Sequence, residues 1–105
     1  MRKIEYTTNP INAIDTYTIQ YREYYEDLYA DTGIYGERQI VENYLQSAID
    51  RQAEIYDLIE QRLSPDIVLG RTIENTLFLS WRSKTLFIAW EDEWDIRVVT
   101  DLLIR

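Results

Sequence analysis

Apolar residues recur every three to four positions through the first part of this chain and every second position beyond residue 65. Arg2 to Thr7 alternate weakly, with Ile4 and Tyr6 on one face, which predicts a short strand. Asn9-Pro10 then predicts a helix start, with Asn9 as the capping side chain and Pro10 at the first helical position. Ile11, Ile14, Thr18, Tyr21, Tyr25 and Leu28 step by three and four along one face of that helix, and Tyr17 and Tyr24 widen it. Gly33 and Gly36 break the pattern and mark a turn.

A second helix is expected from Glu37 to Leu63, with Val41, Leu45, Ala48, Ile55 and Ile59 as its apolar stripe. Gln52 falls where another apolar residue is expected, so it must be hydrogen-bonded across the core or lie near its rim. Glu37 in the first turn and Arg62 in the last suit the helix dipole. Ser64-Pro65 ends the helix, because a residue preceding proline disfavours helical dihedrals.

Strict alternation follows. Leu77, Leu79 and Trp81 share one face of a strand, and Leu86, Ile88 and Trp90 share one face of the next. In a third strand Ile96, Val98, Thr100 and Leu102 alternate with Arg97, Val99 and Asp101. The polar turns between these runs predict antiparallel hairpins, and Ile67 to Ile73 is either a further strand or an extended loop. The expected fold is a single α+β domain over residues 1–105: a short N-terminal strand, a helical hairpin and a C-terminal three-stranded antiparallel meander.

Composition narrows the chemistry. Histidine and cysteine are both absent, which removes the commonest general base, thiolate metal sites and disulfides. With 19 acidic against 11 basic residues the net charge is −8, and acids outnumber bases in each third of the chain. Direct binding to nucleic acid needs Lys and Arg against phosphate, so it is not expected. No run of eighteen apolar residues is present and no signal-peptide pattern opens the chain, so a cytoplasmic location without membrane insertion is expected.

Three groups of residues are candidate sites. Asp50, Glu54 and Asp57, with Glu60 nearby, step along one face of the second helix. Like charges at that spacing cost a few tenths of a kcal/mol per pair, and their Cβ atoms lie ~5–6 Å apart, comparable to a phosphate repeat. The row therefore reads as a nucleic-acid mimic or, more plainly, as a solvated face whose repulsion Arg51 softens. Second, Glu91, Asp92, Glu93 and Asp95 crowd around Trp90 and Trp94 in Ile88 to Arg97. They lack the glycine and spacing of an EF-hand loop, and alternation sends neighbouring carboxylates to opposite faces, so no metal or other cofactor is expected. Trp90 belongs to a core face. Trp94, at the start of the next strand, is less assured of burial and is a candidate interface anchor. Third come Arg82, Lys84, Arg97 and Arg105, which only a family resemblance groups into a basic set. The plain alternative is charge balance, with Arg97 pairing Glu91 or Asp101 for about 0–1 kcal/mol.

The opening Lys3-Ile4-Glu5-Tyr6-Thr7 before a long helix, and the closing stretch from Leu77 to Arg105, resemble the RelE/ParE superfamily of toxins from bacterial toxin–antitoxin modules. The resemblance covers nearly the whole chain and rests on spacing and hydrophobicity. It implies a cognate antitoxin as partner and basic residues near the sheet at Arg82, Lys84, Arg97 and Arg105. The absence of histidine and the acidic helices depart from the RNase members and fit better the branch that binds DNA gyrase without cleaving RNA.

The expected function is therefore non-catalytic: binding to, and inhibition or poisoning of, a basic protein that handles nucleic acid. The alternative is a mobile-element inhibitor of the anti-CRISPR or anti-restriction kind, whose carboxylates replace phosphates. A third version is a ribosome-dependent RNase using Arg82, Lys84 and Arg97. The tyrosines Tyr17, Tyr21, Tyr24 and Tyr25 on the first helix leave a homodimer open.

Overall fold

The structure, a computed structural model, describes the backbone of residues 1–30 and 37–105 and the side chains of residues 1–21 and 46–105. The turn expected at Gly33 and Gly36, and the side chains of Tyr24, Tyr25, Leu28, Glu37, Val41 and Leu45, lie outside the described residues. The elements run β1 (Lys3–Tyr6), α1 (Thr8–Ala30), α2 (Glu37–Leu63), β2 (Arg71–Ile73), β3 (Thr76–Trp81), β4 (Lys84–Glu93) and β5 (Ile96–Ile104). All the strands join one sheet in the order β1-β5-β4-β3-β2.

The α+β class and the element order are those the periodicity predicts, with two differences in the sheet. Arg71–Ile73 is a strand, pairing antiparallel with β3, so the meander has four strands and not three. The N-terminal strand lies beside β5 in parallel, Lys3 opposite Ile96 and Tyr6 opposite Val99, an arrangement the sequence pattern does not specify. Alternation in β1 holds: Ile4 and Tyr6 face the core while Lys3 and Glu5 are exposed.

Both helices cover one face of the sheet. Ile14, Ile55, Ile59 and Leu63 meet Leu77, Leu79, Trp81, Leu86, Ile88, Trp90, Val99 and Leu102 in a single buried cluster. Thus the alternating residues of β3 and β4 point as expected. The helical stripe needs correction at its start. Pro10 is fully buried and sits inside the first turn of a helix that begins at Thr8, where its missing N–H has no partner to lose. Asn9 is therefore not the cap, and Ile11 is exposed. Gln52 donates to Thr18 Oγ1 at 3.0 Å, and Thr18 donates to its own helix at the Ile14 carbonyl, 2.9 Å. This half-buried polar link joins α1 to α2 and resolves the interruption in the α2 stripe.

β5 is where alternation fails. Arg97 and Val99 are buried on the helix side, and so is Leu102, three positions further on. The register explains the extra step: Trp90 is opposite Val99 and Ala89 opposite Asp101, so Thr100 is an unpaired bulge residue. One inserted residue turns the strand over, which places Arg97 inside and Ile96 and Val98 on the outer face. Thr7 closes the bulge region, donating through its hydroxyl to the carbonyls of Thr100 (3.0 Å) and Val99 (3.3 Å).

Arg97, only 3% exposed, is the one buried charge among the described residues. Its Nη1 donates to the carbonyls of Leu63 (2.7 Å) and Pro65 (2.8 Å), and its Nη2 to that of Asp66 (3.0 Å). Its Nε donates to Asp92 Oδ1 at 2.7 Å, the residue directly opposite it on β4. A guanidinium thus satisfies the carbonyls at the C-terminus of α2, where the helix dipole is negative, and ties them to the β4–β5 hairpin. The expected pairing with Glu91 or Asp101 is replaced by Asp92, because only alternate residues of β4 share the face that the bulge gives to Arg97.

Arg97→Leu is expected to lower stability by about 3 kcal/mol, since one buried and two partly buried carbonyls lose their donor at once. Asp92→Asn should cost about 1 kcal/mol, because that carboxylate is half exposed and can be solvated. Urea denaturation checks both; equal, small losses would contradict the role given to Arg97.

Candidate functional site

Three two-residue turns connect the strands of the meander, at Glu74-Asn75, Arg82-Ser83 and Trp94-Asp95. The first residue of each has positive φ: 53° at Glu74, 54° at Arg82 and 54° at Trp94. This region suits the twist of tight hairpins but is disfavoured for L-residues other than glycine, asparagine and aspartate. At Arg82 the conformation is matched by a tertiary bond. Its Nε and Nη2 each donate to the Glu54 carboxylate at 2.9 Å, and the Trp81 indole N–H adds a third bond at 3.0 Å.

Trp94 has no such contact. It is 96% exposed at the tip of the hairpin, so its indole contributes nothing to packing while occupying strained backbone. The turn beneath it is fixed: Arg2 Nη1 donates to the Trp94 carbonyl at 2.7 Å, and the Arg2 backbone N–H donates to Ser64 O at 2.7 Å. Arg2 also stands 3.7 Å from Asp92 and 3.8 Å from Asp66. Two arginines therefore brace the hairpin base against the end of α2.

Around Trp94 the expected acidic cluster divides by strand parity. Asp92 turns inward to Arg97 and Arg2. Glu91, Glu93 and Asp95 are exposed, and among the described residues none of them forms an ion pair. Trp90, by contrast, is core. The tip is thus an exposed indole among three solvated carboxylates on a braced base.

The other two candidate groups do not assemble as expected. On α2, Asp50 accepts a bond from Gln46, Asp57 and Glu60 are exposed, and Glu54 between them is neutralised by Arg82. The bonds from Arg82 are the main reason the Glu54 carboxyl is held below its ordinary value of 4.5, with partial burial opposing and Trp81 assisting. The acidic row is therefore broken at its centre. Of the basic set, Arg97 is buried under the hairpin, Arg82 is engaged by Glu54, Lys84 lies near Tyr17, and Arg105 ends the chain, exposed. β4, at ~33 Å for ten residues, separates the Arg82 turn from Trp94. No group of three carboxylates among the described residues converges on a common metal position. No helix there is long and apolar enough to cross a membrane.

Arg2 is the residue that sequence reading passed over. It precedes β1, and nothing in local pattern reports a contact with Trp94, more than ninety positions away. Comparison with known proteins returned no match to a family model, a curated protein or a solved structure.

Two outcomes are expected. Trp94→Gly should leave stability unchanged or raise it by about 1 kcal/mol, because it relieves the left-handed strain and removes no packed group; a clear fall in the unfolding midpoint would mean that the indole packs. For Glu54, a folded-state value below the unfolded one means stability present above pH 4.5 and lost as pH falls through the folded value. The stability gap between wild type and Glu54→Gln should accordingly be open at neutral pH and close on acidification, read from urea midpoints at a series of pH values.

Proposed function

We propose that this chain is a non-catalytic binding module that inhibits or poisons a nucleic-acid-handling protein, docking through the β4–β5 hairpin tip onto a cationic surface with a cleft for an indole. The observation that carries this reading is Trp94. A large aromatic side chain stands almost wholly in water, on strained backbone that glycine or asparagine would fit better, while two arginines hold its base. Aromatic anchors ringed by polar groups dominate interface energetics. Glu91, Glu93 and Asp95 supply the complementary charge that steers a basic partner.

The element order agrees with that expected from the RelE/ParE resemblance, whereas the parallel β1–β5 pairing departs from the expected details. On the toxin version the hairpin meets the antitoxin or the replication or translation target. On the phage-inhibitor version it meets a defence enzyme. The RNase version has the least support, because Arg97 is buried and bonded within the fold and Arg82, although it lines the same cleft as Lys84, is paired with Glu54.

Affinity capture with wild type, Trp94→Gly and the triple neutralisation Glu91→Gln/Glu93→Gln/Asp95→Asn decides the matter, each run at low and high salt. A partner retained by wild type, lost with Trp94→Gly and weakened tenfold or more by the triple variant supports the reading. Retention indifferent to all four positions refutes it. Growth arrest on expression alone, abolished by Trp94→Gly, separates the toxin version from a harmless inhibitor.

A further inference from the structure

At the opposite end of β4 from Trp94, a cleft of about 550 Å³ opens between the helices and the β3–β4 turn. It is lined by Tyr17, Gln20 and Tyr21 of α1, Arg51 of α2, Arg82 and Ser83 of the turn, and Lys84 at the start of β4. We propose that this cleft is a binding site for a phosphate-bearing small ligand.

The charge distribution carries the proposal. In a chain of net charge −8, three cationic side chains line one concavity. Arg82 is held by Glu54, which makes it a fixed wall and draws that carboxylate onto itself. Arg51 and Lys84 form no ion pair among the described residues. Each lies against a phenol ring instead: Arg51 Cζ is 4.1 Å from the Tyr21 centroid, and Lys84 Nζ is 6.0 Å from that of Tyr17. A guanidinium stacked on a ring has its face covered and its in-plane N–H donors free for an oxyanion.

Two positive charges and the Ser83 hydroxyl suit a dianionic, tetrahedral group with several acceptor oxygens better than a single carboxylate. Tyr17 packs edge-on against the Trp81 ring, centroids 5.5 Å apart, so the cleft has a fixed aromatic wall. That wall favours a phosphate joined to a planar group over the bare ion. The site is independent of the hairpin reading, since it shares no residue with the Trp94 tip.

The test is an amide-resolved NMR titration with inorganic phosphate, pyrophosphate and adenosine 5′-monophosphate, ionic strength held constant with sodium chloride. Saturable shifts at Arg82, Ser83 and Lys84, tightest with the nucleotide, are expected. Arg51→Gln/Lys84→Gln should weaken them at least tenfold, its fold verified by an unchanged thermal midpoint, and Trp94→Gly should leave them as they are. If the phosphate probes give no saturable shift, or the double variant responds as wild type does, the proposal is overturned. It is equally overturned if an oligo-glutamate peptide binds there and the phosphates do not, which would make the cleft a contact for an acidic protein segment.

Discussion

A buried guanidinium organises this fold. Arg97 reaches from β5 under the hairpin to the Leu63 carbonyl at the end of α2 and to the Pro65 and Asp66 carbonyls just beyond it. A hydrophobic residue there would pack but leave those carbonyls unpaired, whereas a lysine ammonium cannot reproduce the planar fork. The carboxylate of Asp92 completes the set on one side, and Arg2 repeats the arrangement at lower burial on the other. Three segments far apart in the chain, the N-terminus, the end of α2 and the β4–β5 hairpin, meet at these two arginines. The helix layer and the extended hairpin are thereby fixed relative to each other.

That constraint has a functional corollary. A two-residue hairpin turn with nothing beside it is prone to fray, and an exposed tryptophan on a fraying tip would lose conformational entropy on binding. Here β1 and Arg2 flank the hairpin to its tip. Bracing the turn through the Trp94 carbonyl and the Asp92–Arg97 pair preorganises it. The contrast with Arg82 is instructive. Both residues begin tight turns at the same φ, but Arg82 is drawn back to α2 by Glu54, and Trp94 points into solvent. At the first turn the side chain is bonded back into the fold; at the second only the backbone carbonyl is held, by Arg2, and the indole makes no packing contact.

The charges of the chain separate along the same axis. Glu54 is neutralised beside a cleft that carries Arg51 and Lys84, while the unpaired carboxylates Glu91, Glu93 and Asp95 collect at the far end of β4. Net charge therefore hides the cationic end. A cleft lined by three cationic side chains and a tip with three exposed carboxylates lie at opposite ends of β4.

Period alone determined a good deal: the helices, the end of α2 at Leu63, the inward faces of β3 and β4, and the demand that Gln52 find a partner. These features depend on residues near one another in sequence, where spacing and turn chemistry act directly. Tertiary structure decided the rest. The bulge at Thr100 inverted β5 and buried Arg97, and the parallel pairing of β1 brought Arg2 beneath Trp94. Charge type in the sequence could not say which carboxylates would be consumed, because Glu54 and Asp92 differ from Glu91 and Asp95 only in what the fold sets opposite them. A side chain carries its chemistry in its own residue, but its availability is fixed by neighbours that folding alone supplies.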